Sequence, residues 1–151
     1  MRTSIQDRGT GRRRCVPVVL VVEDDEGCRD EVREVLEDAE YVVLEAADAE
    51  EALRLLLSDR TPEPMVIVLD IWLPGMTGPE LLRLLRNYHR LARIPVILTS
   101  ASHAFADYVR VNASEAGWMP KPFDSVTLLA EVEKRCRAAP SSGPASVPAA
   151  G

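Results

Sequence analysis

The chain has 151 residues, 46% of them apolar and 28% charged, which suits one folded globular domain and excludes a disordered or fibrous protein. Its longest uninterrupted apolar run, residues 16–22, is far short of the roughly 20 residues that a membrane helix needs, and Glu23, Asp24, Asp25 and Glu26 follow where a secretory signal requires small cleavage-site residues. The formal charge of −6 divides into +4 on residues 1–16 and −10 on residues 17–139, so the body repels nucleic acid and only the basic stretch is suited to a phosphate backbone.

Residues 1–16, with Arg2, Arg8, Arg12, Arg13 and Arg14 against Asp7, lack periodicity and read as a disordered basic tail. From residue 17 to 139, short β-branched runs alternate with longer helix-period segments, the pattern of parallel βαβ units. The first run is Val18–Val22. A helix follows, with Val32, Val35, Leu36 and Ala39 on one face and Glu31, Arg33, Glu34 and Glu37 on the other. The second run, Tyr41–Leu44, precedes a helix opened by Asp48-x-x-Glu51. The third, Met65–Leu69, leads through the turn LPGMTG to a capping box, Thr77-x-x-Glu80, and a stripe of Leu81, Leu84, Leu85 and Tyr88.

The fourth run is Val96–Thr99. The helix predicted around His103–Ala113 is the weakest, because Val109, Val111 and Asn112 are poor helix formers. A short fifth run at Trp118–Met119 precedes a helix capped by Asp124 and packed through Val126, Leu129, Val132 and Cys136. Residues 140–151, PSSGPASVPAAG, read as a second disordered tail. The prediction is an α/β fold, (βα)5, with one parallel sheet between two helix layers.

Ligands of such sheets sit beyond the carboxyl ends of the strands. There the sequence places Glu23-Asp24-Asp25, Asp70, Thr99-Ser100 and Lys121-Pro122. Carboxylates gathered in one shallow pocket repel one another unless a divalent cation neutralises them. An all-oxygen rim with too few protein groups for calcium favours magnesium. Asp70, at the end of an apolar strand, is suited to attack phosphorus and form an acyl phosphate. Asp24, Asp70 and a following main-chain carbonyl would hold the magnesium, Ser100 would donate a hydrogen bond and Lys121 would neutralise a phosphoryl oxygen.

Four stretches carry a family resemblance: VLVVEDDE at 19–26, VIVLDIWLPGMTG at 66–78, IPVILTSA at 94–101 and PKPF at 120–123. Over residues 17–139 the chain resembles the response-regulator receiver domain, the CheY-like family. That resemblance implies a flavodoxin-like three-layer sandwich with strand order 2-1-3-4-5. It also implies Asp70 as phosphoacceptor, Glu23, Asp24, Asp70 and the Trp72 main-chain carbonyl as magnesium ligands, Ser100 as switch hydroxyl, Lys121 as the family's lysine and Trp118 at the aromatic switch position. Trp118 stands where tyrosine or phenylalanine is usual. Trp72 and Ser102 occupy positions that in the family influence how water reaches the phosphoryl group.

The function so implied is that of a stand-alone cytoplasmic phosphoacceptor with self-phosphorylation and self-dephosphorylation as its only chemistry. A sensor histidine kinase or histidine phosphotransfer protein would donate to Asp70. A downstream protein would read the surface of the fourth helix, fifth strand and fifth helix, which is also the candidate homodimer face; no DNA-binding domain and no membrane contact are expected. The alternative is a pseudo-receiver, an interaction module that works without phosphorylation. A phosphohydrolase with an aspartyl nucleophile would present a second acid where Trp72 stands, and GxGxxG and Walker A motifs are missing.

Blander readings exist for single residues: an acidic helix start for Glu23–Asp25, a turn cap for Asp70, a surface or core aromatic for the Trp72 side chain. His89 and His103 read as surface residues. Cys15, Cys28 and Cys136 form no CxxC pair and read as reduced thiols.

Overall fold

Each β-branched run forms a strand, and the strands lie side by side in the order β2-β1-β3-β4-β5, all parallel. The computed structural model describes residues 16–113 and 115–138; residues 1–15 of the first predicted tail, with Cys15 and the arginine cluster, and the second predicted tail, 140–151, lie outside the described residues. The strands are β1 (Val18–Val22), β2 (Val42–Ala46), β3 (Val66–Asp70), β4 (Val96–Ser100) and β5 (Gly117–Pro120). The helices are α1 (Glu26–Asp38), α2 (Ala49–Leu57), α3 (Gly78–Leu85), α4 (Phe105–Asn112) and α5 (Ser125–Ala138).

Side chains alternate across the sheet with the two-residue strand period. Leu20, Val22, Ile67, Leu69, Val96 and Leu98 face one core, filled by Ala52 and Leu56 of α2, Leu81 and Leu85 of α3 and Val109 of α4. Val19, Val21, Val66, Val68 and Ile97 face the other, closed by Val32 and Leu36 of α1 and Leu128 and Val132 of α5. Burying one such side chain contributes roughly 1.5–3 kcal/mol. The result is a flavodoxin-like three-layer sandwich. Its chain order reverses at β1, which has β2 on one side and β3 on the other, and a cleft at the carboxyl ends opens there.

Helix starts follow the local chemistry. Asp25, Asp48, Thr77 and Asp124 accept backbone N–H bonds from residues 28, 51, 80 and 127, and Glu80 returns a bond to the Thr77 N–H, completing the capping box. Glu51 reaches one residue farther back, to the Ala47 N–H at 2.9 Å. In the turn before α3, Gly75 takes φ 80°, a left-handed conformation that glycine adopts without a Cβ penalty. Among the described residues no side chain caps the start of α4.

Some predicted details differ. β2 runs Val42–Ala46, not Tyr41–Leu44, because Glu45 extends the edge strand while pairing with Arg29 and Arg33 of α1. α3 ends at Leu85, so Tyr88 lies past it, 42% exposed, and Leu82 joins the buried face. Asn87, Tyr88 and His89 are all poor helix formers. In α5 the buried residues are Leu128 and Val132, with Leu129 and Cys136 alongside. Val126 is 74% exposed: at ~100° per residue it stands roughly 140° from the midpoint of Leu128 and Val132, on the far side of the helix. His89 and His103 are exposed. Cys28 and Cys136 are free thiols.

Candidate functional site

The register of the strands brings the predicted rim residues together. Asp70, the last residue of β3, pairs with Thr99, and the Ile71 N–H donates to the Thr99 carbonyl at 2.9 Å. Ser100, the last residue of β4, pairs with Pro120, and the Lys121 N–H donates to the Ser100 carbonyl at 2.8 Å. Glu23 is held at the end of β1 by a 3.0 Å bond from its N–H to the Ala46 carbonyl. The Lys121–Pro122 peptide is cis.

From this frame Lys121 Nζ reaches across the sheet to Asp70 Oδ2 at 3.2 Å and bonds Glu23 Oε2. Asp70 Oδ1 accepts the Trp72 N–H at 3.1 Å, and Glu23 Oε1 accepts the Asp25 N–H at 3.3 Å. Glu23, Asp70 and Ser100 are buried, whereas Asp24 is exposed. Ser100 Oγ accepts the Ser102 N–H at 3.0 Å.

Burial sets the electrostatics. It pushes the Glu23 carboxyl up to about 6, with the Lys121 hydrogen bond opposing and the charge of Asp70 adding to the rise. Burial also disfavours the charge on Lys121, but the Glu23 bond and the Asp70 charge outweigh it and lift its pKa above the ordinary lysine value.

One carboxylate oxygen from each of Glu23, Asp24 and Asp70 lies within 4.8 Å of the others. Three carboxylates against the one ammonium of Lys121 leave two negative charges, the charge that one divalent cation matches. The donors are all hard oxygens, so the residues present fit magnesium.

The acidic run at the end of β1 is divided between two tasks. Glu23 and Asp24 turn into the cluster, whereas Asp25 caps α1, its Oδ1 2.8 Å from the Cys28 N–H, which holds its carboxyl below the usual aspartate range. The Trp72 ring is 53% exposed and meets Phe105 of α4 edge-on at 4.9 Å. Trp118 is half-buried against the core and lines a shallow groove with Val109, Ala113 and Ala116.

The pattern of strand ends did not point to two neighbours of the site. Arg29 donates from Nη1 to the Glu23 carbonyl at 2.8 Å, a contact with no signal beyond the two arginines, Arg29 and Arg33, of an acidic helix. Gly78 packs against the Asp70 backbone, and its position after the turn was the available clue.

The chain belongs to the response regulator receiver domain family, whose profile matches residues 19–133. It is 33% identical over 120 residues to the transcriptional regulatory protein HprR of Escherichia coli K12, covering 79% of this chain and 51% of that protein. It is 36% identical over 129 residues to the alkaline phosphatase synthesis transcriptional regulatory protein SphR of Synechococcus elongatus, covering 80% and 47%. The chain thus spans about half the length of these curated relatives. Among solved structures it resembles the chemotaxis response regulator CheY4 of Vibrio cholerae, with a TM-score of 0.70, 31% identity and coverage of 80% of this chain and 98% of that one. The receiver domain of a signal transduction histidine kinase from Syntrophus aciditrophicus gives a TM-score of 0.74 at 27% identity, covering 88% and 99%. Among the described residues no helix is long and apolar enough to cross a membrane.

Proposed function

We propose that this receiver domain accepts a phosphoryl group on Asp70 from a histidine kinase or histidine phosphotransfer protein, in the cytoplasm, and passes the signal on by protein contact. The observation that carries the reading is the Asp70 carboxylate: 7% exposed, 3.2 Å from Lys121 Nζ, and within the oxygen cluster formed with Glu23 and Asp24. Its strand-end position and hydrogen bonds aim it before a donor arrives, and such positioning is what phosphoryl transfer asks of a protein.

An Asp70 oxygen forms the bond to phosphorus as the bond to the donor's leaving group breaks, giving an acyl phosphate. Lys121 stays close to Asp70 and compensates the charge brought by the phosphoryl oxygens. Glu23, Asp24, Asp70 and the Trp72 main-chain carbonyl would hold magnesium, which would supply further charge neutralisation and orientation. Ser100 donates its hydroxyl hydrogen to a phosphoryl oxygen, and the pull on β4 alters the face made by α4, β5 and α5, where Trp118 stands. A ligand-like change at Asp70 shifts that face only through contacts that differ between two states. The chain turns over no substrate beyond its own acyl phosphate.

Incubation with a small radiolabelled acyl phosphate and magnesium tests the reading. The wild-type chain incorporates label and Asp70→Asn does not. Equal labelling of the variant excludes Asp70, and no labelling of either supports a phosphorylation-independent interaction module.

A further inference from the structure

We propose that Arg29 is a positioning residue that holds the Glu23–Asp24 segment in shape for a divalent cation, an inference that rests on the reading of Glu23, Asp24 and Asp70 as a cation site. Arg29 is the fourth residue of α1, and its side chain is only 17% exposed. Its Nη1 donates to the Glu23 carbonyl at 2.8 Å, one residue past the end of β1. On its other side, Nε faces Glu45 Oε1 of β2 at 3.6 Å. The second oxygen of Glu45 lies 3.5 Å from Arg33 Nη1, and Arg33 is flanked in turn by Asp30 at 3.3 Å. The guanidinium is therefore braced between the edge strand and the loop that carries the acidic pair.

The Glu23 carbonyl and the Asp24 N–H belong to one planar peptide. Fixing that carbonyl fixes the plane from which the Asp24 side chain departs. Asp24 needs such support: it is exposed, and among the described residues no hydrogen bond or ion pair holds its carboxylate. Groups standing behind metal ligands typically change affinity about 10–100-fold when removed.

The sign of the effect separates positioning from charge. A guanidinium near an acidic cluster repels a cation, so its removal tightens binding if charge is its whole contribution. If it holds the ligands in place, its removal weakens binding despite the lost repulsion.

Magnesium titration of the full chain, followed by amide shifts of residues 23–25 and 70–72, tests this. Arg29→Ala weakens magnesium binding about 10-fold. Arg29→Lys keeps the charge but lacks the planar fork that spans both contacts, and falls between wild type and Arg29→Ala. Because its charge is that of the wild type, Arg29→Lys serves as the deciding variant if Arg29→Ala does not fold. Unchanged or tighter binding in Arg29→Ala, or wild-type binding in Arg29→Lys, overturns the positioning role. Failure of the wild-type chain to bind magnesium overturns the cation-site reading beneath it.

Discussion

Gly78 is packed against the backbone of Asp70. A Cβ added to Gly78 would lie 2.4 Å from the Asp70 carbonyl oxygen and 3.0 Å from the Ile71 Cα, and the Gly78 N–H donates to the Ile71 carbonyl at 2.9 Å. The start of α3 thus rests on the strand end that presents the proposed phosphoacceptor. Both obstructing atoms are backbone, so no side chain can swing aside. Gly78→Ala is expected to destabilise the fold by about 1–3 kcal/mol and to slow labelling of Asp70 while the chain is still folded. Urea unfolding and phosphoryl incorporation check the two effects separately.

Glu23 makes the stability of the cation-free protein depend on pH in a direction opposite to ordinary acid denaturation. Its pKa is about 6 when folded, against an ordinary 4.5, so the folded chain takes up a proton before the unfolded chain does. Stability therefore rises as pH falls from 7 through 6, and the gain is complete below about 4.5. Burial is its largest cause, and the gain is on the order of 1–2 kcal/mol. The caps Asp25 and Asp124 have lowered pKa values, so their stabilisation is lost only below the ordinary aspartate value, outside this window. Thermal melts between pH 7.5 and 5.5 should show a rising midpoint in the wild type and a flatter profile in Glu23→Gln.

Lys121 competes with a cation for the same carboxylates, since its Nζ bonds both Glu23 and Asp70. A unit charge at 4 Å is worth about 1 kcal/mol even at the dielectric of water. Lys121→Ala is expected to tighten magnesium binding about fivefold or more while reducing phosphoryl acceptance, because the compensating charge is gone. Calorimetric titration and labelling of the same variant measure the two opposed effects.

Glu40 ends α1 in a conformation that suits glycine. Its φ is 69°, the Tyr41 N–H bonds the Leu36 carbonyl at 3.0 Å and its own N–H bonds the Glu37 carbonyl at 2.9 Å, the pairing of a Schellman motif. A Cβ in the left-handed region costs about 1–2 kcal/mol, part of which glycine returns as backbone entropy. Glu40→Gly should therefore raise stability by about 0.5–1 kcal/mol, read as a shift of the urea midpoint at unchanged slope.

The strand ends were legible because each apolar run stops at a residue able to do chemistry: Glu23, Asp70, Ser100 and, after β5, Lys121. The (βα)5 alternation followed from periodicity, whereas the 2-1-3-4-5 order came with the family resemblance. Helix phase was less legible. Val126 and Leu128 are both apolar near the start of α5, and only packing on the sheet decides that Leu128 is buried and Val126 is not. Tyr88 continued the leucine spacing of α3, yet the helix ends before it. The bond from Arg29 to a main-chain carbonyl and the contact of Trp72 with Phe105 depend on how distant segments meet; no local pattern encodes either. The division of Glu23–Asp25 was half legible, since an acid before a helix is both a good cap and a good ligand.

Every step of the proposed signalling begins with Asp70 carrying the phosphoryl group. Intact and peptide mass spectrometry of the wild-type chain, after treatment with a small acyl phosphate and magnesium, measures this directly. One adduct of about 80 Da, the mass of one phosphoryl group, is expected on the peptide containing Asp70, and no adduct when magnesium is withheld. An adduct on any other residue, or none under conditions where magnesium binds, contradicts it.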